Sequence, residues 1–247
     1  MRSTAMISVI SSWSTDVFVN QAGDVLAVKD GGPGLFLTRA LAQETVSFKT
    51  HAASPVAVEI LLTNAGELGR IPNPPMPRIL DTSMFAAWTI VSSISEEWQF
   101  SPQAELPGRV CVDVQGFVRD PGNFGGKRQW GGPPGSAIRP YCLKGTRQEM
   151  QYIEPALLEE QKQRLLVITD GSEGVELYFG GERCKVRCPR VVASTDTVGA
   201  GDTFFGHFIA RLAKGAEPST AAKYAARQTV AFLERKSTNS TNPVTEV

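Results

Sequence analysis

The sequence is poor in cysteine and histidine and has no excess of charge of either sign. Its 247 residues include four cysteines and two histidines, and 25 Lys and Arg residues balance 25 Asp and Glu residues. Scarce cysteine excludes a scaffold built on disulfides, and with no secretory leader pattern it favours a reduced, cytoplasmic setting. Zero net charge excludes a general attraction to nucleic acid or to an acidic membrane surface. No apolar run is long enough to cross a bilayer. We therefore expect neither nucleic acid nor a membrane as a partner.

The cysteines also give little support for a metal site. Cys184 and Cys188 have the spacing of half a zinc site, but no second pair of cysteines or histidines lies near them in the sequence. Structural zinc needs two such pairs. We therefore expect no zinc site here.

What the chain does have is a globular composition, with 42% apolar and 20% charged residues. This balance permits a sizeable core, and the length suits one α/β domain. Four continuous apolar runs predict strands that are covered on both faces, and hence a mainly parallel sheet between helices. These runs are residues 6–10, continuing less regularly through 17–19, then 88–91, 110–114 and 165–169.

The other predicted elements complete one domain over residues 1–235. We expect a helix after Gly31–Gly34, a small β-hairpin lid at about 55–77 with its turn at Asn64–Gly66, and a Gly- and Pro-rich loop over residues 116–135. A second hairpin is predicted over residues 175–187, followed by two helices, one with its apolar face at 204–212 and one at about 219–234. Residues 236–247 are expected to form a polar tail.

The stretch from Asp196 to Gly206 carries the strongest chemical signal. Gly199, Ala200 and Gly201 stand where a loop becomes the first turn of an apolar-faced helix, so unpaired N–H groups and the helix dipole would favour an anion there. Asp202 in the same turn is suited to take a proton from a hydroxyl group that attacks phosphorus. The alternative is an ordinary helix start in which Asp202 only compensates the dipole. Neither a P-loop nor a dinucleotide fingerprint is present.

The run from Asp196 to Phe208 resembles the second signature of the PfkB/ribokinase family of carbohydrate kinases, with His207 where the family usually has Ala or Gly. The resemblance implies a ribokinase-like fold and transfer of the γ-phosphate of ATP to a hydroxyl of a sugar or cyclitol. Asp202 would be the general base and Gly199–Gly201 the anion hole.

Two N-terminal segments resemble the acceptor site of that family. Ser11–Asp16 is similar to the first-strand motif whose Asp holds substrate hydroxyls, and Gly31 with Gly32 is similar to the substrate-contacting diglycine. Phe36 stands at or near the place of an Asn that often follows the diglycine, which puts polar contacts there in doubt.

Residues 113–119 are similar to the D-x-Q-G-F-x-R segment of a prokaryotic branch that includes myo-inositol-type kinases. The resemblance implies that Gln115 contacts the acceptor and that Arg119 reaches the transferred phosphate with its permanently charged fork. The alternative for Arg119 is a surface arginine that follows a strand.

Further segments resemble the family's donor site. Thr146–Glu149 is similar to the N-x-x-E magnesium motif with Thr for Asn, and Glu149 would act on Mg²⁺ through water. Residues 169–174 resemble the T-x-G-x-x-G nucleotide segment. The nucleotide contacts implied are Thr169, Gly171, Gly174, Thr197, Ala226 and Thr229. The alternatives are a solvated glutamate at a helix end, an ordinary turn, and an alanine-rich core helix.

The connection between Leu41 and Pro55 is much shorter than the strand, helix and strand usual in this family. This shortening, together with Phe36 and His207, leaves open a catalytically inactive sensor that binds a sugar or a nucleotide. A vitamin kinase acting on a pyridoxal-like hydroxymethyl group is a further alternative. Lids of this family often pair into dimers, so a homodimer through the lid is also expected.

Overall fold

The structure is a computed structural model that describes residues 6–63, 66–102, 107–123, 125–134, 139–194 and 196–240. The strands are β1 (Ile7–Ser11), β2 (Ser14–Val19), β3 (Val25–Gly31), β4 (Phe48–Ala52), β5 (Val56–Thr63), β6 (Gly66–Arg70), β7 (Arg78–Ile79), β8 (Trp88–Ser92), β9 (Trp98–Gln99), β10 (Arg109–Asp113), β11 (Cys142–Thr146), β12 (Leu165–Thr169), β13 (Val175–Phe179) and β14 (Glu182–Val186). The α-helices are α1 (Pro33–Gln43), α2 (Gln115–Val118), α3 (Arg147–Met150), α4 (Pro155–Lys162), α5 (Ala200–Ala213) and α6 (Pro218–Ser240).

The central sheet has the strand order β14-β13-β12-β11-β10-β8-β1-β4. The strands from β4 to β12 in this order run parallel, whereas β13 and β14 form an antiparallel hairpin at one edge. β1 and β8 are buried along their whole length, as their continuous apolar sequences require. The predicted fold class, a mainly parallel sheet flanked by helices, is confirmed.

The lid is a four-stranded sheet with the order β3-β2-β5-β6, larger than the predicted hairpin. β5 and β6 form that hairpin, although residues 64 and 65 of its predicted turn lie outside the described residues. The chain leaves β1 at Ser12 and enters the lid as β2, so Val17–Val19 belong to the lid and do not continue the first strand. The hydroxyl- and glycine-rich flanks of β2 and β3 concealed this second hairpin from a search for apolar runs.

Helices α1 and α5 pack against one face of the central sheet and share its larger core, which includes Leu37, Leu41, Phe205 and Phe208. A Cβ at Gly206 would lie 2.8 Å from the Ala40 Cβ atom, so a glycine at this place lets the two helices approach closely. This approach brings the start of α1 and the start of α5 together at the same end of the sheet.

Helix α6 packs along α5 and continues to Ser240. It therefore extends into the segment predicted as a polar tail, where Lys236 donates to Oδ1 of Asp196 at 2.5 Å and to the Val198 carbonyl oxygen at 2.9 Å and so ties this part of the helix to the loop before α5. Residues 241–247 of that predicted tail lie outside the described residues. Within the described part of the chain, no helix is both long enough and apolar enough to cross a membrane.

Candidate active site

A cavity of about 580 Å³ opens at the carboxyl ends of the parallel strands, where the lid, α5 and α6 meet. Ligands of open α/β sheets bind at this end of the strands. Most of the residues singled out from the sequence line it: Asp16, Gly32, Gln115, Arg119, Thr169, Gly171, Gly174, Thr197, Gly199, Ala200, Gly201, Asp202, Ala226 and Thr229. Gly31 and Glu149 are not in the lining, and both lie behind it. Segments far apart in the sequence therefore converge on one site.

The predicted anion hole is the first turn of α5. Gly199 caps the helix with φ of 83° and ψ of −1°, a left-handed conformation that favours glycine. The N–H groups of Gly201 and Asp202 follow in the first turn, where a helix offers no internal partner. The N–H group of Ala200 donates to the Thr197 carbonyl oxygen at 3.1 Å, so it differs from the open donor that the sequence predicted. Of the three predicted donors, Gly199 and Gly201 have no hydrogen-bond partner for their N–H groups among the described residues, and the N–H group of Asp202 is a further open donor.

Asp202 is buried beside this hole, with 8% of its surface exposed. Its Oδ1 atom is buried and has no hydrogen-bond partner. Burial raises the pKa of Asp202 to about 7, although the positive charge of Lys144 opposes the shift. A carboxylate with an open acceptor atom and a pKa near neutrality can accept a proton from a bound hydroxyl group.

Lys144 is a site residue that the sequence prediction missed. It lines the cavity from β11, and its Nζ atom lies 2.7 Å from Oδ2 of Asp113, with the two side chains 3% and 0% exposed. Burial alone would lower the pKa of Lys144, but the Asp113 carboxylate raises it, so the ammonium group stays charged. The available signal was a lysine directly after the apolar Cys142–Leu143 pair, inside a strand too short and irregular to be recognised as one.

The end of the cavity that was predicted to hold the acceptor contains Asp16 of β2. Ser14 donates its hydroxyl to Oδ1 of Asp16 at 2.5 Å. A Cβ at Gly31 would lie 1.9 Å from Oδ2 of Asp16, so the first glycine of the pair makes room for this carboxylate. Burial raises the pKa of Asp16, with Ser14 and Arg119 opposing the shift. Asp16 and Arg119 thus present opposite charges to one cavity.

The β12–β13 turn and α6, which were predicted to contact the nucleotide, both line the cavity. Thr169 ends β12, and Gly171 and Gly174 adopt φ of 52° and 100° in the turn that follows. Across the cavity, α6 presents Ala226 and Thr229, and other apolar residues complete the wall, among them Val175, Val230 and Leu233. A glycine turn facing an apolar wall suits a phosphorylated ligand that also carries a flat apolar group.

Glu149 does not form a ready ligand for Mg²⁺. Its Oε2 atom accepts the N–H group of Thr146 at 2.8 Å and completes a capping box of α3, while its Oε1 atom lies 3.9 Å from Nζ of Lys127. Within the described residues, no three His, Cys, Asp or Glu side chains are grouped as metal ligands are. The side chains present among the described residues therefore do not fit a direct Mg²⁺ site.

Comparisons with known proteins support the fold. Residues 143–245 match the model of the pfkB family of carbohydrate kinases. A pyrophosphate-dependent kinase in the ribokinase family, solved with a pyrophosphate analog and myo-inositol, is 18% identical with a TM-score of 0.67, and the alignment covers 92% of this chain and 95% of that one. Ribokinase from Thermotoga maritima is 15% identical with a TM-score of 0.63, and the alignment covers 97% and 96% of the two chains.

This is a ribokinase-like fold. The predicted resemblance to the PfkB/ribokinase family is confirmed, and the family match also confirms the prediction of an enzyme of the carbohydrate kinase class. The ribokinase fold is complete enough to align over nearly the whole chain despite the short connection after Leu41. In place of the longer segment, the chain passes directly from α1 through β4 to the lid.

The two local departures from the ribokinase family are Phe36 on α1 and His207 on α5, and each contacts a residue next to the other helix. A Cβ at Gly199 would lie 2.4 Å from the ring of Phe36, so that ring lies flat against the anion hole. His207 is buried on α5, and its Nδ1 atom lies 2.8 Å from Oε1 of Glu44, just after α1. Both departures therefore join the two helices and leave Asp202 accessible to the cavity.

Proposed function

We propose that this protein transfers a phosphoryl group from ATP to a hydroxyl group of a sugar or cyclitol. The observation that carries the proposal is the buried Asp202 carboxylate, whose Oδ1 atom has no hydrogen-bond partner, next to the open first turn of α5. A substrate hydroxyl in the cavity would supply the missing partner and lose its proton to Asp202. The donor phosphate would accept hydrogen bonds from the N–H groups of Gly201 and Asp202.

The end of the cavity that contains Asp16 also supports phosphoryl transfer to a hydroxyl group. Asp16 and Gln115 provide acceptor atoms for the remaining hydroxyl groups of the substrate, and Arg119 provides a charged fork for phosphate. Polar contacts near Phe36 are not part of this proposal, because its ring packs on Gly199. The acceptor is therefore held mainly from β2 and α2.

ATP is proposed as the donor because α6 and the β12–β13 turn form a wall for a nucleotide base. Pyrophosphate is the second candidate, since three of the structural neighbours are described as pyrophosphate-dependent kinases. Mg²⁺ is proposed to arrive with the donor and to meet Glu149 only through water.

The test is a panel of sugars and cyclitols, including ribose and myo-inositol, assayed with ATP for ADP release and with pyrophosphate for phosphate release. We expect turnover of at least one acceptor with ATP. Asp202→Asn should lower its rate on the order of 10²–10⁴-fold, because a positioned general base is lost. Asp81→Asn, an exposed cap of a short helical turn, is the control and should keep the full rate.

Each remaining outcome selects an alternative. Turnover with pyrophosphate alone would replace ATP as the donor. Calorimetric binding of ATP or a sugar by the folded protein with no turnover of any acceptor would indicate the inactive sensor, and an Asp202→Asn variant with the full rate would refute the proposed base.

A further inference from the structure

Lys144 packs directly against the backbone of the anion hole. A Cβ at Gly201 would lie 3.0 Å from the Nζ atom of Lys144, and the nearest other atom to that Cβ is the adjoining Cε. The same Nζ atom is 2.7 Å from Oδ2 of Asp113. Lys144 also lines the cavity itself. Its ammonium group thus lies between a buried carboxylate and the turn expected to hold phosphate.

The charges that face Asp202 come from four elements. Lys144 projects from β11, Asp113 from β10 and Glu149 from α3, and Arg119 follows α2. Lys144 is the fully buried cation of this group, and its pull on the pKa of Asp202 is larger than the opposing push from Asp113. Lys144 therefore still favours the ionised form of Asp202 although it is paired with Asp113.

We propose that Lys144 is the cation of the anion hole, which keeps Asp202 ionised before transfer and stabilises the phosphoryl group during transfer. The inference rests on the proposed function. In the reaction, the acceptor oxygen bonds to phosphorus, the bond from phosphorus to the bridging oxygen of the donor breaks, and the acceptor proton moves to Asp202. Once Asp202 is neutral, the charge of Lys144 is left to act on the phosphoryl oxygens. A charge that becomes more effective as negative charge develops favours the transition state.

The competing explanation is a purely structural ion pair between Lys144 and Asp113. Removing Lys144 alone would leave Asp113 buried without a partner, which is strongly destabilising. The informative comparison is Asp113→Asn against Asp113→Asn with Lys144→Met. Both variants lack the Asp113 charge, so they differ only in the Lys144 cation.

Two measurements on these variants need no known acceptor. The first is a carbon-13 NMR titration of the aspartate carboxyl groups, with the Asp202 signal assigned from its loss in Asp202→Asn. We expect the double variant to titrate Asp202 at a pKa at least about one unit higher than Asp113→Asn does. The second is calorimetric titration with inorganic pyrophosphate, for which we expect at least about tenfold weaker binding by the double variant.

An unchanged Asp202 midpoint together with unchanged pyrophosphate affinity would overturn the inference and leave Lys144 a structural partner of Asp113. If Asp113→Asn does not fold, wild type is compared with the double variant, and the expected directions are the same. If both shifts are found and no acceptor is phosphorylated, the proposed function fails while the placement of Lys144 stands. If acceptors turn over but neither shift is found, only this inference fails.

Discussion

Asp202 is a residue where the proposed chemistry opposes stability. Its folded pKa of about 7 lies above the value near 3.9 of an unfolded aspartate, because burial disfavours the ionised form. A group whose pKa is raised on folding contributes its full stability below the unfolded pKa and loses it as the pH rises through the folded pKa. The ionised Asp202 therefore destabilises the fold increasingly between about pH 4 and pH 7.

We predict that Asp202→Asn is more stable than wild type and that its advantage grows with pH. Asparagine has a similar shape and carries no charge to bury, so at pH 8 the gain should approach about 4 kcal/mol, from 1.36 kcal/mol per pKa unit. The measurement is the free energy of unfolding in urea at pH 5 and pH 8. Asp81→Asn, whose native aspartate is exposed, is the control. A gain that does not increase from pH 5 to pH 8 would contradict the raised pKa.

Among single residues, the sequence predicts a role for those that belong to a local motif and misses those whose partners are distant in the sequence. Asp202 and Gly199 could be proposed because a glycine loop before an apolar-faced helix has a direct physical meaning. Lys144 could not, because its partner Asp113 is brought beside it only by the pairing of β10 with β11. The role of Gly31 in making room for Asp16 also depends on a strand pairing, that of β2 with β3.

The elements that define the site are the starts of α1 and α5. Phe36 on α1 lies on Gly199, and Gly199 sets the left-handed turn from which α5 begins. The Phe36 ring on Gly199 therefore helps to position the predicted anion hole, together with the close approach of Gly206 to Ala40.

We predict that Gly199→Ala destabilises the protein more than Gly215→Ala does. Both glycines have positive φ, of 83° and 87°, so each substitution should cost about 1–2 kcal/mol in backbone strain. A Cβ at Gly215 meets nothing within 4 Å, whereas one at Gly199 would overlap the Phe36 ring. Overpacking should add about 1–3 kcal/mol at Gly199 alone.

Urea unfolding of the two variants measures the difference. Adding Phe36→Ala to each variant should remove it, because the added methyl group then has space. Equal destabilisation of Gly199→Ala and Gly215→Ala would show that the ring moves aside without cost.

Strands of the central sheet were predictable where the sequence is continuously apolar, whereas the buried strand β11 was missed. β8, β10 and β12 have continuous apolar sequences and were located to within a residue at each end. β3, β4 and β11 contain lysines or glycines among their apolar residues, and their pairing with neighbouring strands decides their conformation. The lid was underestimated for this reason.

The whole molecule carries zero net charge, and yet its cavity is surrounded by charged groups. Charges are paired locally: Asp196 beside the anion hole binds Lys236 of α6 at 2.5 Å and Lys29 of the lid at 3.3 Å. The Lys29 bond joins the lid to the loop that precedes α5. The homodimer expected through the lid stays a prediction. The contact between Lys29 and Asp196 lies within one chain, so substitution of Lys29 tests its effect on the lid.

We predict that Lys29→Met raises the KM for the acceptor by about two- to fivefold at low salt and leaves kcat unchanged. Lys29 is 53% exposed at its side chain, and an exposed ion pair contributes at most about 1 kcal/mol. Losing it lowers the fraction of molecules with the lid held over the cavity, which weakens apparent binding without altering the chemical step. Lys223→Met, on the exposed side of α6, is the control.

The ionic strength dependence separates this explanation from a loss of packing. Salt screens exposed charges over about 10 Å at 0.1 M and about 3 Å at 1 M, so the difference in KM between Lys29→Met and wild type should nearly vanish at 1 M salt. Nζ of Lys29 also lies 4.9 Å from the centre of the Phe18 ring, and methionine can replace this cation–π contact with a contact between its sulfur and the ring. A KM difference that persists at high salt, or a fall in kcat, would mean that Lys29 supports the lid by packing and that the Asp196 ion pair does not hold it.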